Sequence, residues 1–195
     1  ATLSASERVE CIRHTAFGLA YHGRNDLELQ TQRGDLIRSL TQPLELDAQP
    51  QGVIGDRARI RVGFVSKHVR DCTVGHYFKR FMTDLSDAQI EVFVYACGTR
   101  DAFTDDIAKR VDQLRFFDDE SSTLARVSTA ITQDALDVLV YPEIGMEPLI
   151  EKLAAMRLAP LQCALWGHPV TTGLPTIDVF FSGAGLEPKG AEAHY

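Results

Sequence analysis

The sequence predicts an α/β fold: a mostly parallel sheet covered on both faces by helices and preceded by a short helical segment. Three observations lead there. Runs of four to eight residues rich in Val, Ile, Leu, Phe and Tyr recur at 59–66, 90–96, 113–117, 136–141, 161–166 and 178–181. Segments with helical periodicity separate most of these runs. Several of the runs are apolar almost throughout rather than alternating, as strands buried on both faces of a parallel sheet require.

In chain order, residues 4–21 read as a first helix. Ser4 followed by Glu7 is a capping-box pattern, and Val9, Ile12, Ala16, Leu19 and Ala20 recur on one face. Gly23-Arg24-Asn25 interrupts it, and Leu29, Leu36, Ile37 and Leu40 mark a second helix to about Leu40. The pair is either the end of a helical repeat array or a simple hairpin packed on the main domain, since no repeat period shows in so short a stretch. Residues 41–56 carry Pro, Gly and Gln without periodicity and read as a linker. The expected organisation is therefore a lead-in over 1–45 and a main unit over 57–195.

The main unit opens with the 59–66 strand, then a polar turn and a helix capped by Asp71 or Thr73. Val74, Tyr77, Phe78, Phe81 and Leu85 supply its apolar side. After the second strand, 98–101 turns and 104–110 forms a short helix. After the third, Ser121 or Ser122 caps a helix with Leu124, Val127, Ala130 and Ile131 on one side. The fourth strand leads into a loop at 142–146, and Pro148 takes the first helical position ahead of Leu149, Leu153 and Met156. Right-handed crossovers bring the loops at 66–73, 97–101, 118–121, 141–147 and 167–176 to one edge of the sheet. Open parallel sheets bind their ligands at that edge.

Composition narrows the function. A net charge of -7 over 195 residues, with no basic block, gives little support to a nucleic-acid surface. Cys11, Cys72, Cys97 and Cys163 have no framework spacing and read as reduced thiols of a cytoplasmic protein. No run approaches the roughly 18 apolar residues that span a bilayer, and no signal peptide leads the chain. The start at Ala1 and the stop at Tyr195, soon after a strand, lead us to expect an excerpt of a longer protein.

Two stretches carry the candidate chemistry. The first follows strand one and offers Ser66, Lys67, His68, Arg70, Asp71, Cys72 and Thr73 at a helix N-terminus, where N–H groups can hold a phosphate or polarise an oxygen. Only Gly63 and Gly75 flank it, so it is no dinucleotide fingerprint. The bland alternative is a solvated turn with a cap. His76 falls nearly opposite the apolar side of the helix and faces a cleft, a partner or water. The second stretch runs from Trp166 to Thr176. His168, enclosed by Gly167 and Pro169, sits in a stiff loop with Thr171, Thr172 and Thr176, suited to sugar or phosphate contacts and to proton transfer near neutral pH. A rigid connection bearing an exposed histidine is the alternative. Metal binding has weak support: no histidine pair has helical zinc spacing, and Asp118-Asp119-Glu120 reads as a solvated turn before it reads as a divalent-ion site.

The motifs Arg61-Val62-Gly63-Phe64-Val65-Ser66, Asp71-Cys72-Thr73-Val74-Gly75-His76, Asp137-Val138-Leu139-Val140-Tyr141-Pro142, Leu158-Ala159-Pro160-Leu161-Gln162-Cys163 and Trp166-Gly167-His168-Pro169-Val170-Thr171-Thr172-Gly173 occur in that order. Together they resemble the catalytic region of the O-linked N-acetylglucosamine transferase family, nearest its bacterial branch, whose members often carry tetratricopeptide repeats upstream. The resemblance covers about residues 57–195 and implies the N-terminal, Rossmann-like half of a GT-B glycosyltransferase. It implies an inverting transfer from a UDP-sugar to Ser or Thr of a protein acceptor, without a metal or a cofactor beyond the donor substrate. Partners implied are the acceptor, the donor and a C-terminal catalytic half, with neither nucleic acid nor membrane. A related branch transfers glucose to asparagine, which leaves donor and acceptor open.

By the same resemblance His76, His168 and Cys72 are the catalytic candidates, and Thr73, Gly167, Thr171, Thr172 and Gly173 the donor-binding ones. Cys72 stands where the family has a histidine, and a thiol is no equivalent of a neutral imidazole base. Asp134 matches an acidic position once proposed as a base, in a context that equally reads as the end of a helix.

Overall fold

The computed structural model describes residues 4–44, 57–118 and 123–195. Six strands form one sheet in the order β3-β2-β1-β4-β5-β6, every neighbouring pair parallel. They are β1 (Ile60–Ser66), β2 (Ile90–Cys97), β3 (Gln113–Phe117), β4 (Val138–Tyr141), β5 (Leu161–Ala164) and β6 (Val179–Phe180). The chain moves outward from β1 to β3, then returns to lay β4 against the other side of β1. The winding therefore changes direction between β1 and β4, and a crevice opens outside their C-terminal ends.

Alternate residues of each strand feed two cores, which is why the strands carry so few polar residues. Val65, Phe93, Tyr95, Leu139 and Tyr141 pack on one face with Val127 and Ile131 of α5 (Leu124–Asp134) and Ile150 and Leu153 of α6 (Pro148–Ala154). Val62, Phe64, Val92, Val94, Val140 and Cys163 pack on the other with Phe78 and Met82 of α3 (Thr73–Thr83) and Ile107 of α4 (Ala102–Ala108). Gly63 has no side chain because Leu136 fills its place: a Cβ there would lie 2.3 Å from Leu136 Cδ1.

The helical lead-in departs from its expected outline. Only α1 (Ala5–Cys11) is α-helical in the first stretch, with the Ser4–Glu7 box in place, followed by a 3₁₀ turn over Phe17–His22 that ends at left-handed Gly23. The Arg33 guanidinium takes the His14 carbonyl oxygen at 2.7 Å, so that carbonyl is withdrawn from helix bonding. The second helix, α2 (Leu27–Thr41), packs against α6 and anchors there through Arg33 to Glu151. Ile12 and Ile37 enter the same core as α5 and α6.

Local details differ from expectation for identifiable reasons. Cys72, not Asp71 or Thr73, caps α3, and Thr123 caps α5. The Ser121 and Ser122 caps, Asp119 and Glu120, and linker residues 45–56 lie outside the described residues. In α4 the Asp101–Thr104 capping box starts the helix two residues earlier than periodicity suggests. The α3 face is rotated. Met82 joins the core, while Tyr77 and Phe81 are 55% and 40% exposed and meet Trp166 edge-on. The aromatic rings satisfy one another at the rim instead of filling the interior. No helix among the described residues is long and apolar enough to cross a membrane.

Candidate active site

The loops after β1, β4 and β5 leave the same edge of the sheet, so Cys72 and His168 stand on one side of the molecule, as the sequence predicted. The loop after β2 joins them, Asp101 Oδ2 accepting the Asp71 N–H at 2.7 Å. The structure sorts the candidate residues into two groups, and between them sets Ser66, Lys67 and His68 against two carboxylates that the sequence had not singled out.

The first group lies at the N-terminus of α3. Cys72 is extended, with φ -158° and ψ 169°, and its sulfur accepts the Gly75 N–H at 3.5 Å. The same thiol donates to the His68 carbonyl oxygen at 3.6 Å. Both bonds hold the turn, so the sulfur serves as a helix cap. Gly75 lets the turn close, because a Cβ there would lie 2.1 Å from the Arg70 carbonyl oxygen. Thr73 is exposed as the first helical residue. His76, one turn on, is also exposed. Its Nε2 is 2.7 Å from Asp71 Oδ1 and its ring meets Phe103 edge-on at 4.8 Å.

The second group follows β5. The Gly167 N–H bonds the Pro142 carbonyl oxygen at 2.9 Å. His168 is buried rather than exposed, covered by the Phe17 ring at 5.3 Å, with Nε2 3.4 Å from the Phe17 carbonyl oxygen. Burial holds its imidazolium below the usual histidine range, against the opposing pull of the Phe17 carbonyl and Glu151. Thr171 and Thr172 turn their hydroxyls onto the Gly173 and Leu174 N–H groups. Gly173, at φ 60°, is where α2 presses on the loop: a Cβ would lie 2.2 Å from the Gln30 carbonyl carbon, and one on Gly34 would lie 2.1 Å from the Gly173 oxygen. Thr171, Thr172 and Gly173 also line a groove of about 330 Å³ beside Leu27, Thr31 and Asp35. The lead-in thus forms one wall of the groove at this loop.

Between the groups sits the β1/β4 crevice. Ser66 Oγ accepts the His68 N–H at 2.9 Å, and Glu143 Oε1 accepts the Lys67 N–H at 3.0 Å. Glu147 lies 3.9 Å from Lys67 Nζ and 3.7 Å from His68 Nε2. Burial lowers the His68 pKa, with Glu147 opposing. Glu143 and Glu147 were not singled out from the sequence. The available signal was a Pro-Glu pair directly after an apolar strand, at the point where the winding turns back.

Asp134 stands apart. It is the last residue of α5, four positions before β4 begins, and so belongs to the opposite edge of the sheet. Its carboxylate takes the Tyr95 hydroxyl at 2.6 Å and the Arg115 guanidinium. Burial and this hydrogen bond raise the Tyr95 pKa. The arrangement is a structural tie between β2, β3 and α5.

These features define a Rossmann-like unit, a largely parallel sheet flanked by helices, of the kind found in GT-B glycosyltransferases. No family model matches the chain. The chain is 26% identical over 132 residues to a UDP-N-acetylglucosamine–peptide N-acetylglucosaminyltransferase of Caenorhabditis elegans, covering 67% of this chain and 11% of that one. It is 28% identical over 138 residues to the probable enzyme SPINDLY of Solanum lycopersicum, covering 67% and 14%. An O-GlcNAc transferase mutant of Thermobaculum terrenum shares the fold, with a TM-score of 0.60 at 22% identity over 98% of this chain and 35% of that one. The chain thus spans only about a tenth to a seventh of the length of these curated relatives. The relatives it is similar to are thus peptide N-acetylglucosaminyltransferases, and the solved structure shows the fold.

Proposed function

We propose that the chain is the N-terminal catalytic half of a UDP-sugar-dependent protein glycosyltransferase. In this reading it transfers N-acetylglucosamine or a related hexose to Ser or Thr, inverts the anomeric centre and uses no metal. The similarity to peptide N-acetylglucosaminyltransferases over two thirds of the chain carries the reading. An inverting transfer needs the acceptor oxygen in line with the anomeric carbon and relief of charge on the departing UDP. On this side of the active site, Thr73 and the N-terminal end of α3 supply donors. His76 with Asp71 supplies a polar pair, and the 167–173 loop supplies a wall stiffened by its own hydroxyls. A C-terminal half completes the donor site, so residues 1–195 alone give no turnover. A cytoplasmic location belongs to the same reading and is supported by four free cysteines.

The full-length protein, incubated with labelled UDP-N-acetylglucosamine and acceptor proteins, is expected to place base-labile label on Ser or Thr. Base-stable label on asparagine from UDP-glucose would identify the asparagine-directed branch instead. A second reading, a binding module of the same fold whose chemistry has lapsed, is favoured by the capping role of Cys72. Activity appearing only in the full-length Cys72→His variant decides for it, and activity in the unaltered protein decides against it.

A further inference from the structure

We propose that the Glu143 carboxyl is a positioning group that ties the loop after β1 to the loop after β4, and so sets where Lys67 and His68 stand over the crevice. The side chain is wholly buried. Oε1 accepts the Lys67 N–H, while Oε2 is buried with no hydrogen-bond partner among the described residues. The loop after β5 closes on it: a Cβ on Gly167 would lie 3.1 Å from Glu143 Cβ and 2.3 Å from the Pro142 carbonyl oxygen. The carboxyl therefore bonds the loop after β1, while the root of the same side chain, at Cβ, packs close to the loop after β5.

The titratable groups around it are Lys67 and His68 from the loop after β1, Glu147 from its own loop, and His168 from the loop after β5, which packs on Gly145. Lys67 and His68 both lie near Glu147, and Glu147 disfavours a second negative charge beside it. Burial pushes the Glu143 pKa up to about 8, against the pull of the Ser66 hydroxyl and the Lys67 amide. Near neutral pH the proton stays on Glu143, because a buried O–H costs far less than a buried anion that only the Ser66 hydroxyl and the Lys67 amide offset. Once the group ionises, water must reach Oε2 or the side chain must move, and either change is felt at the Lys67 amide that Oε1 holds. The proposal rests on the transferase reading only in that this loop would then face the acceptor.

The test needs no sugar transfer, so it can fail independently of that reading. Trp166, the only tryptophan in the chain, precedes Gly167 and packs on Tyr77 and Phe78. Its fluorescence and the Lys67 amide shift are followed from about pH 6 to about pH 10. Both are expected to titrate with a single midpoint of about 8 in the unaltered protein and to be flat in Glu143→Gln. A midpoint that survives in Glu143→Gln overturns the proposal, as does a flat response in the unaltered protein. Should that variant not fold, the side-chain carboxyl carbon resonance of Glu143 in the unaltered protein decides. It is expected to titrate together with the Lys67 amide, and titration near the ordinary 4.5, or a motionless amide, overturns the proposal.

Discussion

Glu143→Gln should make the protein more stable, and by an amount that depends on pH. The carboxyl has an ordinary pKa of 4.5 and a folded one of about 8. Below 4.5 both the folded and unfolded chains carry the proton, and this group costs nothing. Between 4.5 and 8 the unfolded chain releases the proton while the folded chain keeps it, so stability falls as pH rises, by about 1.4 kcal/mol per unit. Above about 8 both states are ionised and the cost levels off. At about pH 7 the accumulated penalty is about 3 kcal/mol. Glutamine avoids it but leaves an amide N–H₂ without an acceptor where Oε2 now sits, a loss of about 1 kcal/mol. The variant should therefore gain about 2 kcal/mol near neutrality and lose a little near pH 4. Urea unfolding of both proteins across this range measures the difference. A difference that is constant with pH would show that Glu143 ionises alike in both states, and the argument would fail.

Three further outcomes follow from the same geometry. Cys72→Ala should cost about 1 kcal/mol in urea unfolding by removing the α3 cap, and Cys72→Ser should not; equal losses would mean that the sulfur bond to Gly75 contributes nothing. Gly173→Ala should lower the melting temperature, losing about 2 kcal/mol or more through a strained φ of 60° and a clash with Gln30, and should speed proteolysis of the lead-in; unchanged cleavage would mean that α2 is not seated there. Asp134→Asn should weaken the tie to Tyr95 and Arg115 by about 2 kcal/mol in thermal unfolding while leaving the Trp166 titration untouched, since it acts at the far edge of the sheet.

The parallel sheet was legible because its central strands are buried on both faces, and such strands write their presence as continuous apolar runs. The edge that carries the loops was legible for the same reason, since parallel strands have only one C-terminal side. Side-chain direction was harder. His76 was placed outward correctly because it lies across from Phe78 on α3, yet Tyr77 and Phe81 were misplaced because Trp166 offers them partners at the rim. The burial of His168 could not be read from its loop, because the segment that covers it, Phe17, is separated from it by most of the chain and sits where a continuous helix was expected.

The same distance in sequence explains why the partners of Ser66, Lys67 and His68 in the crevice, Glu143 and Glu147, were missed. Each chosen motif was a local string, and local strings show what a loop contains, not which loop lies beside it. Glu143 has consequence only because β4 inserts next to β1, which places its carboxyl under the Lys67 amide contributed by a loop 76 positions earlier. Cys72 shows the reverse: a residue prominent in the string spends its sulfur on the turn that carries it. The loop after β1 therefore supplies one side of the crevice in the string itself, and the carboxylates facing it come from the topology. In a doubly wound sheet, the search for chemistry is better begun at the strand pair where the winding reverses than at the most recognisable motif.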